Sequence, residues 1–123
     1  MAGDARDGGA EPGLPLRPVD VLILMMLVRG ARHGYGIMLD VAEHTEGAIR
    51  LEAGSLYRSI RHLLDDGLVA EAPPPEPARD DDERRRYYAL TPLGRRVLAA
   101  EALRLRRLVR EAEAAGLIAP AGA

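Results

Sequence analysis

Ser55, Tyr57, Arg58, Arg61 and His62 lie within eight positions of one another, in the stretch LEAGSLYRSIRHLLDDGL from Leu51 to Leu68. Their side chains supply hydroxyl, guanidinium and imidazole donors, the groups that bind phosphate oxygens and the acceptor edges of bases. The same stretch carries Leu56, Ile60, Leu63 and Leu64 at i, i+4, i+7 and i+8, which is one apolar stripe of a helix. Gly54 joins the polar residues on the other side. Gly67 stands where a left-handed residue closes a helix, and Leu68 can fold back on Leu63. The spacing predicts one buried face and one face turned toward something polar and anionic, and it reads as a DNA recognition helix. Arg58 and Arg61 each have the fork to pair with guanine, worth roughly 1–3 kcal/mol of discrimination. Half or more of protein–DNA hydrogen bonds go to the backbone, so phosphate is the expected partner of at least one of them. Asp65, one turn on, competes for Arg61.

Other chemistries are poorly supplied. Cys is absent, which excludes disulfides, thiolate metal sites and Cys nucleophiles. His33, His44 and His62 show no HxxxH or HxxE spacing, so neither metal nor cofactor is expected. No nucleophile–base pair stands out, and the Gly-rich residues 30–36 lack any phosphate-loop or dinucleotide pattern, so the chain does not read as an enzyme. The amino-terminal MAGDARDGGAEPG has no apolar core of a secretory leader. The longest apolar run, Val21 to Val28, falls far short of the roughly 18 residues that a membrane span needs. A cytoplasmic protein with no membrane association is the expectation.

Net charge is −2, which by itself argues against a polyanion partner, but the distribution is uneven. Residues 71–83 hold six acids against one Arg, and residues 84–110 hold nine Arg against Glu101 alone. Such blocks place a basic surface inside a nearly neutral chain. A solvated helix face explains the distal arginines, Arg104 to Arg110, equally well. Every basic residue of the Lys/Arg type is Arg, the better phosphate and guanine ligand.

The elements that must position these groups follow from periodicity and punctuation. At 123 residues the chain is one domain with a small core. Residues 1–15, rich in Gly, Ala and Asp, read as a disordered arm. Pro18 opens a helix to about Arg29 that is apolar nearly all round, so one side needs a partner subunit. After a turn over residues 30–36, a second helix spans about Tyr35 to Thr45, with Ile37, Val41 and Met38 facing inward. The alternation at Ile49–Leu51 suggests one short strand. Past the recognition helix, Leu68–Glu71 and Arg86–Leu90 read as antiparallel strands, with Tyr87 and Tyr88 on opposite faces, one in the core and one near the surface. Four prolines and the run Arg79–Glu83 make the hairpin between them irregular. Thr91-Pro92 starts a long helix to about Ala115, with Leu93, Val97, Leu98, Leu105, Leu108 and Ala112 along one seam, and Gly116 ends it. The result is a mainly α chain with a small β-hairpin: a winged helix-turn-helix over residues 16–91, a dimerisation helix over 92–116 and a frayed tail over 117–123.

Four segments then become specific. His33–Ile37 (HGYGI), Gly54–Arg58 (GSLYR), Leu63–Val69 (LLDDGLV) and Arg86–Gly94 (RYYALTPLG) follow one another at the spacing of the PadR family of bacterial transcriptional regulators, and the resemblance covers about residues 17–115. It implies a winged-helix dimer that represses genes for detoxification, drug efflux or metabolism and releases DNA when a small molecule binds. The single C-terminal helix resembles the short subfamily. Carried over position by position, the resemblance puts Tyr35 at a phosphate, Ser55, Tyr57 and Arg58 at the start of the recognition helix, and Arg84, Arg85 and Arg86 on the returning wing strand near the minor groove. Glu52 departs from the family's Ser or Thr cap, and the acidic tip Asp80–Glu83 would be repelled by DNA and is expected to face away.

The DNA-binding set is thus Tyr35, Gly54, Ser55, Tyr57, Arg58, Arg61, His62, Arg84, Arg85 and Arg86, and the partners are a double-stranded operator and a second copy of the chain. Leu22, Met25, Met26, Leu98, Leu105 and Leu108 are the expected dimer interface, where a small-molecule effector would also sit. The absence of Trp and Phe leaves few groups to stack a planar effector. A winged-helix adaptor that docks protein instead of DNA is the competing reading.

Overall fold

The structure, a computed structural model, describes residues 14–75 and 85–122. Residues 1–13 of the expected 1–15 arm and the wing tip at 76–84 lie outside them. Among the described residues, four helices and a small sheet follow in the order α1 (Pro18–Met26), β1 (Arg32–His33), α2 (Gly34–His44), α3 (Ala53–Asp65), β2 (Val69–Ala72), β3 (Tyr87–Leu90) and α4 (Pro92–Ala114). This is a winged-helix arrangement.

Pro18 occupies the first turn of α1, where its missing N–H costs nothing. The helix ends three residues before the expected Arg29. Leu27, Val28 and Gly30 instead donate to carbonyls three residues back, which winds the chain into a tighter turn. Ile23, Leu24 and Leu27 are buried, and α1 packs against α2, α3 and α4. α2 sends Ile37 and Val41 into the same core.

The sheet differs from expectation at one place. Its third strand is not Ile49–Leu51, which forms no strand, but β1 inside the expected turn. Arg32 pairs with Tyr88 and His33 with Tyr87, so the partner that makes β1 a strand lies 54 to 56 residues away in the chain. Ile49 is instead tied to α2, its amide donating to Thr45 Oγ1 at 3.0 Å across a turn that takes Glu46 and Gly47 to positive φ. β3 is the central strand of the order β1-β3-β2. Its position between two neighbours, with His33 against Tyr87, buries both Tyr87 and Tyr88, not one of them.

α3 closes as expected. Gly67 has φ +76°, its amide reaches Leu64, and the Leu68 amide reaches the Leu63 carbonyl at 2.9 Å. Leu56, Ile60 and Leu63 are buried together with Ser59. At the other end Glu52 makes no side-chain cap. α4 begins on Thr91, whose Oγ1 accepts from the Gly94 amide at 2.9 Å and donates to the Gly67 carbonyl at 2.6 Å. Gly94 rests on the Leu68 carbonyl so closely that an added Cβ would collide with it.

Glu101 is the element least expected from sequence. It is fully buried, accepts from Arg104 at 2.6 and 2.8 Å and from the Leu16 amide at 3.1 Å, and so fastens the segment before α1 to α4. The Arg104 guanidinium holds its carboxyl below the usual carboxylate range, and the Leu16 amide adds to this against the opposing effect of burial. A lowered folded-state pKa means that the carboxylate stabilises the fold above about pH 4.3 and that this contribution disappears as pH falls through the lowered value. Glu101→Gln is expected to cost about 1–3 kcal/mol at neutral pH. The gap to the wild type, read from urea unfolding, should narrow as pH drops below about 4.

Candidate nucleic-acid interface

The polar side of α3 is a ridge with two flanks. Gly54, Arg58, Arg61 and Asp65 stand at i, i+4, i+7 and i+11, and all four are exposed. The expected alternative for Arg61, a pair with Asp65, does not form. Among the described residues neither Arg58 nor Arg61 has a hydrogen-bond or ion-pair partner. Arg58 lies back over Gly54, with 3.6 Å between its Nη1 and the place a Cβ would take, so the missing side chain leaves room for the guanidinium.

Tyr57 leans from α3 toward the wing, half exposed. Its ring lies on Gly34 at the start of α2, where an added Cβ would meet the hydroxyl and stand 2.7 Å from Cζ. That contact explains why a glycine follows His33. Tyr35 is exposed next to it. Arg85 and Arg86 rise from the wing stem, Arg85 against His33 and Arg86 against Glu71 at 3.4 Å. Between α3 and the stem runs an open cleft of about 670 Å³, with Tyr35, Tyr57, Arg61, Arg85 and Arg86 on its walls. Burial pushes the Tyr88 phenol at its floor upward, so that residue remains protonated.

The structure therefore brings together Tyr35, Tyr57, Arg61, Arg85 and Arg86, with Gly54 and Arg58 along the adjoining ridge. It sets Ser55 and His62 on the other flank. His62 lines a separate hollow with Arg17, Asp20 and Asp66, across the helix from the cleft. Arg84 lies outside the described residues. His33, weighed in the sequence as a metal ligand and as the start of the HGYGI segment but not placed in the DNA-binding set, is part of the cleft wall and the N-cap of α2; the His-Gly-Tyr-Gly order before an amphipathic run was the available signal. Among the described residues no cluster of His, Asp and Glu has the arrangement of a metal site.

The expected dimer residues divide. Met25, Leu105 and Leu108 are exposed, whereas Leu22 and Met26 are half-buried against the core. Leu98 is a correction: it is 5% exposed and belongs to the chain's own core, because the first turns of α4 pack on α1. The stripe that carries Val97, Leu98 and Glu101 continues past the body as Leu105, Leu108, Val109 and Ala112, of which Leu105, Leu108 and Val109 are exposed. Val109 shares that helical face and is a further apolar candidate.

The model of the transcriptional regulator PadR-like family matches residues 23–100. This chain belongs to that family. Its members are transcriptional regulators, not enzymes. Solved structures share the fold of this PadR-like regulator at low identity. A transcriptional regulator from Clostridium thermocellum is 20% identical over 83% of this chain and 93% of its own, with a TM-score of 0.59. A PadR family regulator from hypervirulent Clostridium difficile is 22% identical over 81% and 98%, with a TM-score of 0.63. Bacillus subtilis PadR in complex with operator DNA is 23% identical over 70% of this chain and 47% of its own, with a TM-score of 0.56. No curated protein sequence matches the chain. Among the described residues no helix is long and apolar enough to cross a membrane.

Gly34→Ala tests the seating of Tyr57. The new methyl requires the ring to move, at an expected cost of about 1–3 kcal/mol in thermal unfolding. Iodide quenching of the tyrosine fluorescence should rise relative to the wild type, and that rise should be absent when Tyr57→Phe is the background.

Proposed function

We propose that this regulator binds a pseudo-palindromic double-stranded operator as a homodimer in the cytoplasm and represses the genes it controls until a small molecule occupies the dimer interface. One observation carries DNA binding: the outer ridge of α3 presents Arg58 and Arg61 exposed and, among the described residues, without hydrogen-bond or ion-pair partners, beside a wing stem that presents Arg85 and Arg86. Cations left unpaired on a rigid helix are what phosphates and guanine edges require. The Bacillus subtilis PadR complex with operator DNA, on the same fold, supports DNA as the partner.

Support for the homodimer comes from α4. Its distal half keeps an apolar stripe that the described residues leave open, and Leu108 and Val109 are 51% and 47% exposed. A second copy related by a two-fold axis would cover both stripes and set two α3 ridges about 34–36 Å apart, one helical turn of DNA. A shallow apolar trough of about 480 Å³ along Ala99, Ala102 and Leu103 is space that a second subunit could roof for an effector.

Arg58→Ala is expected to weaken binding to the region upstream of the protein's own gene by about 1–3 kcal/mol, with the dimer and its unfolding temperature unchanged. Mobility shifts at fixed salt measure this, and unchanged affinity would remove Arg58 from the interface. Leu108→Asp should convert the dimer to a monomer in sedimentation velocity while circular dichroism retains the helical signal. A wild type that sediments as a monomer would overturn the homodimer.

A further inference from the structure

α1 is tied to α4 at both of its ends. Before its first turn, the Leu16 amide donates to Glu101 Oε2 at 3.1 Å. Past its last turn, the Val28 carbonyl accepts from Arg95 Nη2 at 3.2 Å. Glu101 and Arg95 stand about 9 Å apart along α4, at about 1.5 Å of rise per residue. Two separated anchors fix a line, so together they set the crossing angle of the helices and not only their contact. The Glu101 tie is the costly one. Its carboxylate is fully buried, and Arg104 grips both oxygens, Nε on Oε1 at 2.6 Å and Nη2 on Oε2 at 2.8 Å. Burying such a pair seldom stabilises a fold more than apolar side chains of similar volume would. What it adds is direction: the Leu16 amide meets its acceptor at one place, whereas an apolar contact leaves the helices free to slide. α1 also packs on α3, so the angle is passed on to the recognition helix.

We propose that Glu101 is a positioning residue for DNA binding: by holding α4 at one angle to the winged-helix body, it sets the distance between the two α3 ridges of a dimer and so the half-site spacing that the protein accepts. This rests on the homodimeric, DNA-binding reading above. From Glu101 to its end at Ala114, α4 projects about 20 Å, and Leu105 and Leu108 lie on that projecting part. A swing of about 10° over this lever displaces its end by about 3.5 Å, close to one base-pair step of roughly 3.4 Å. A two-fold axis applies the same swing in both copies. Small freedom at Glu101 therefore becomes a shift of whole base pairs between the half-sites.

The test uses the operator fragment from upstream of the protein's own gene in three forms: native, with one base pair inserted or removed between the half-sites, and cut to a single half-site. Affinities are read from mobility shifts at fixed salt. Wild type should lose about tenfold on either change of spacing, the strain of bringing the half-sites back into register. Glu101→Gln keeps the side chain's shape but turns one acceptor into a donor, so it cannot serve both Arg104 and the Leu16 amide. The double variant Glu101→Met, Arg104→Met fills the same space without stranding a charge and keeps the question open to test if Glu101→Gln does not fold. Both variants should discriminate spacings by less than about threefold, yet match wild type on the single half-site. The double variant should do so with an unfolding temperature no lower than that of Glu101→Gln. Wild-type discrimination in Glu101→Gln, or in the double variant where Glu101→Gln does not fold, would overturn the proposal. So would equal weakening on the single half-site and the whole operator, which would make Glu101 only a support of the fold. A wild type that binds no duplex brings down the DNA-binding reading, and one that binds half-site and whole operator alike brings down the homodimer. Either takes this proposal with it, whereas discrimination kept by the variants removes Glu101 alone.

Discussion

Thr91 and Gly94 meet Gly67 and Leu68 where the end of the recognition helix, the wing and the long last helix share a few ångströms. The Thr91 hydroxyl donates to the Gly67 carbonyl, its amide donates to the Leu68 carbonyl at 3.1 Å, and its oxygen receives the Gly94 amide. Gly94 lacks a side chain at the one place where the Leu68 carbonyl presses on α4. Each group at this junction serves two elements at once. The left-handed turn that stops α3 also points the chain into β2, and the cap that starts α4 also satisfies the carbonyl exposed by that turn. The angle between the α3 ridge and the wing stem, and with it the width of the cleft, depends on this knot.

From the knot outward the molecule divides into a part held tightly and a part left open. The core made by Ile23, Leu24, Ile37, Val41, Leu56, Ile60, Leu63 and Val97 closes inside the single chain. Glu101 marks the boundary along α4, because its carboxylate fastens the Leu16 amide and ends the stretch of helix that the subunit covers. Beyond it the same apolar stripe runs on uncovered. The buried charge is tolerable there since every oxygen has a donor.

The polar side is organised by opposite logic. On α3, Arg58 and Arg61 are exposed and have no hydrogen-bond or ion-pair partner among the described residues, while Glu71 pairs with Arg86, Asp40 with Arg32 and Asp20 with Arg17. A chain of net charge −2 presents two cations on this ridge because its charges are unevenly placed along the surface. Aromatic rings then lock the approach. Tyr57 lies over Gly34, and Tyr87 and Tyr35 hold His33, so the start of α2 and the wing stem behave as one wall of the cleft.

The amino-acid sequence by itself determined the helices and their buried faces, because apolar spacing, Pro18, Gly67, Thr91-Pro92 and Gly116 act within a turn or two of where they stand. It also determined the polar identity of the α3 ridge. Tertiary structure alone decided whatever depends on a partner far along the chain. β1 exists because His33 finds Tyr87, both tyrosines are buried because β3 is central, and Ile49–Leu51 has no strand to pair with. Helical periodicity likewise put Leu98 and Leu105 on one stripe, but only the length of α1 against α4 turned the first inward and left the second bare. Flank assignments followed the same rule: Arg61 and His62 are neighbours in sequence, yet a rotation of about 100° per residue sends one to the cleft and the other to the hollow beside Asp20.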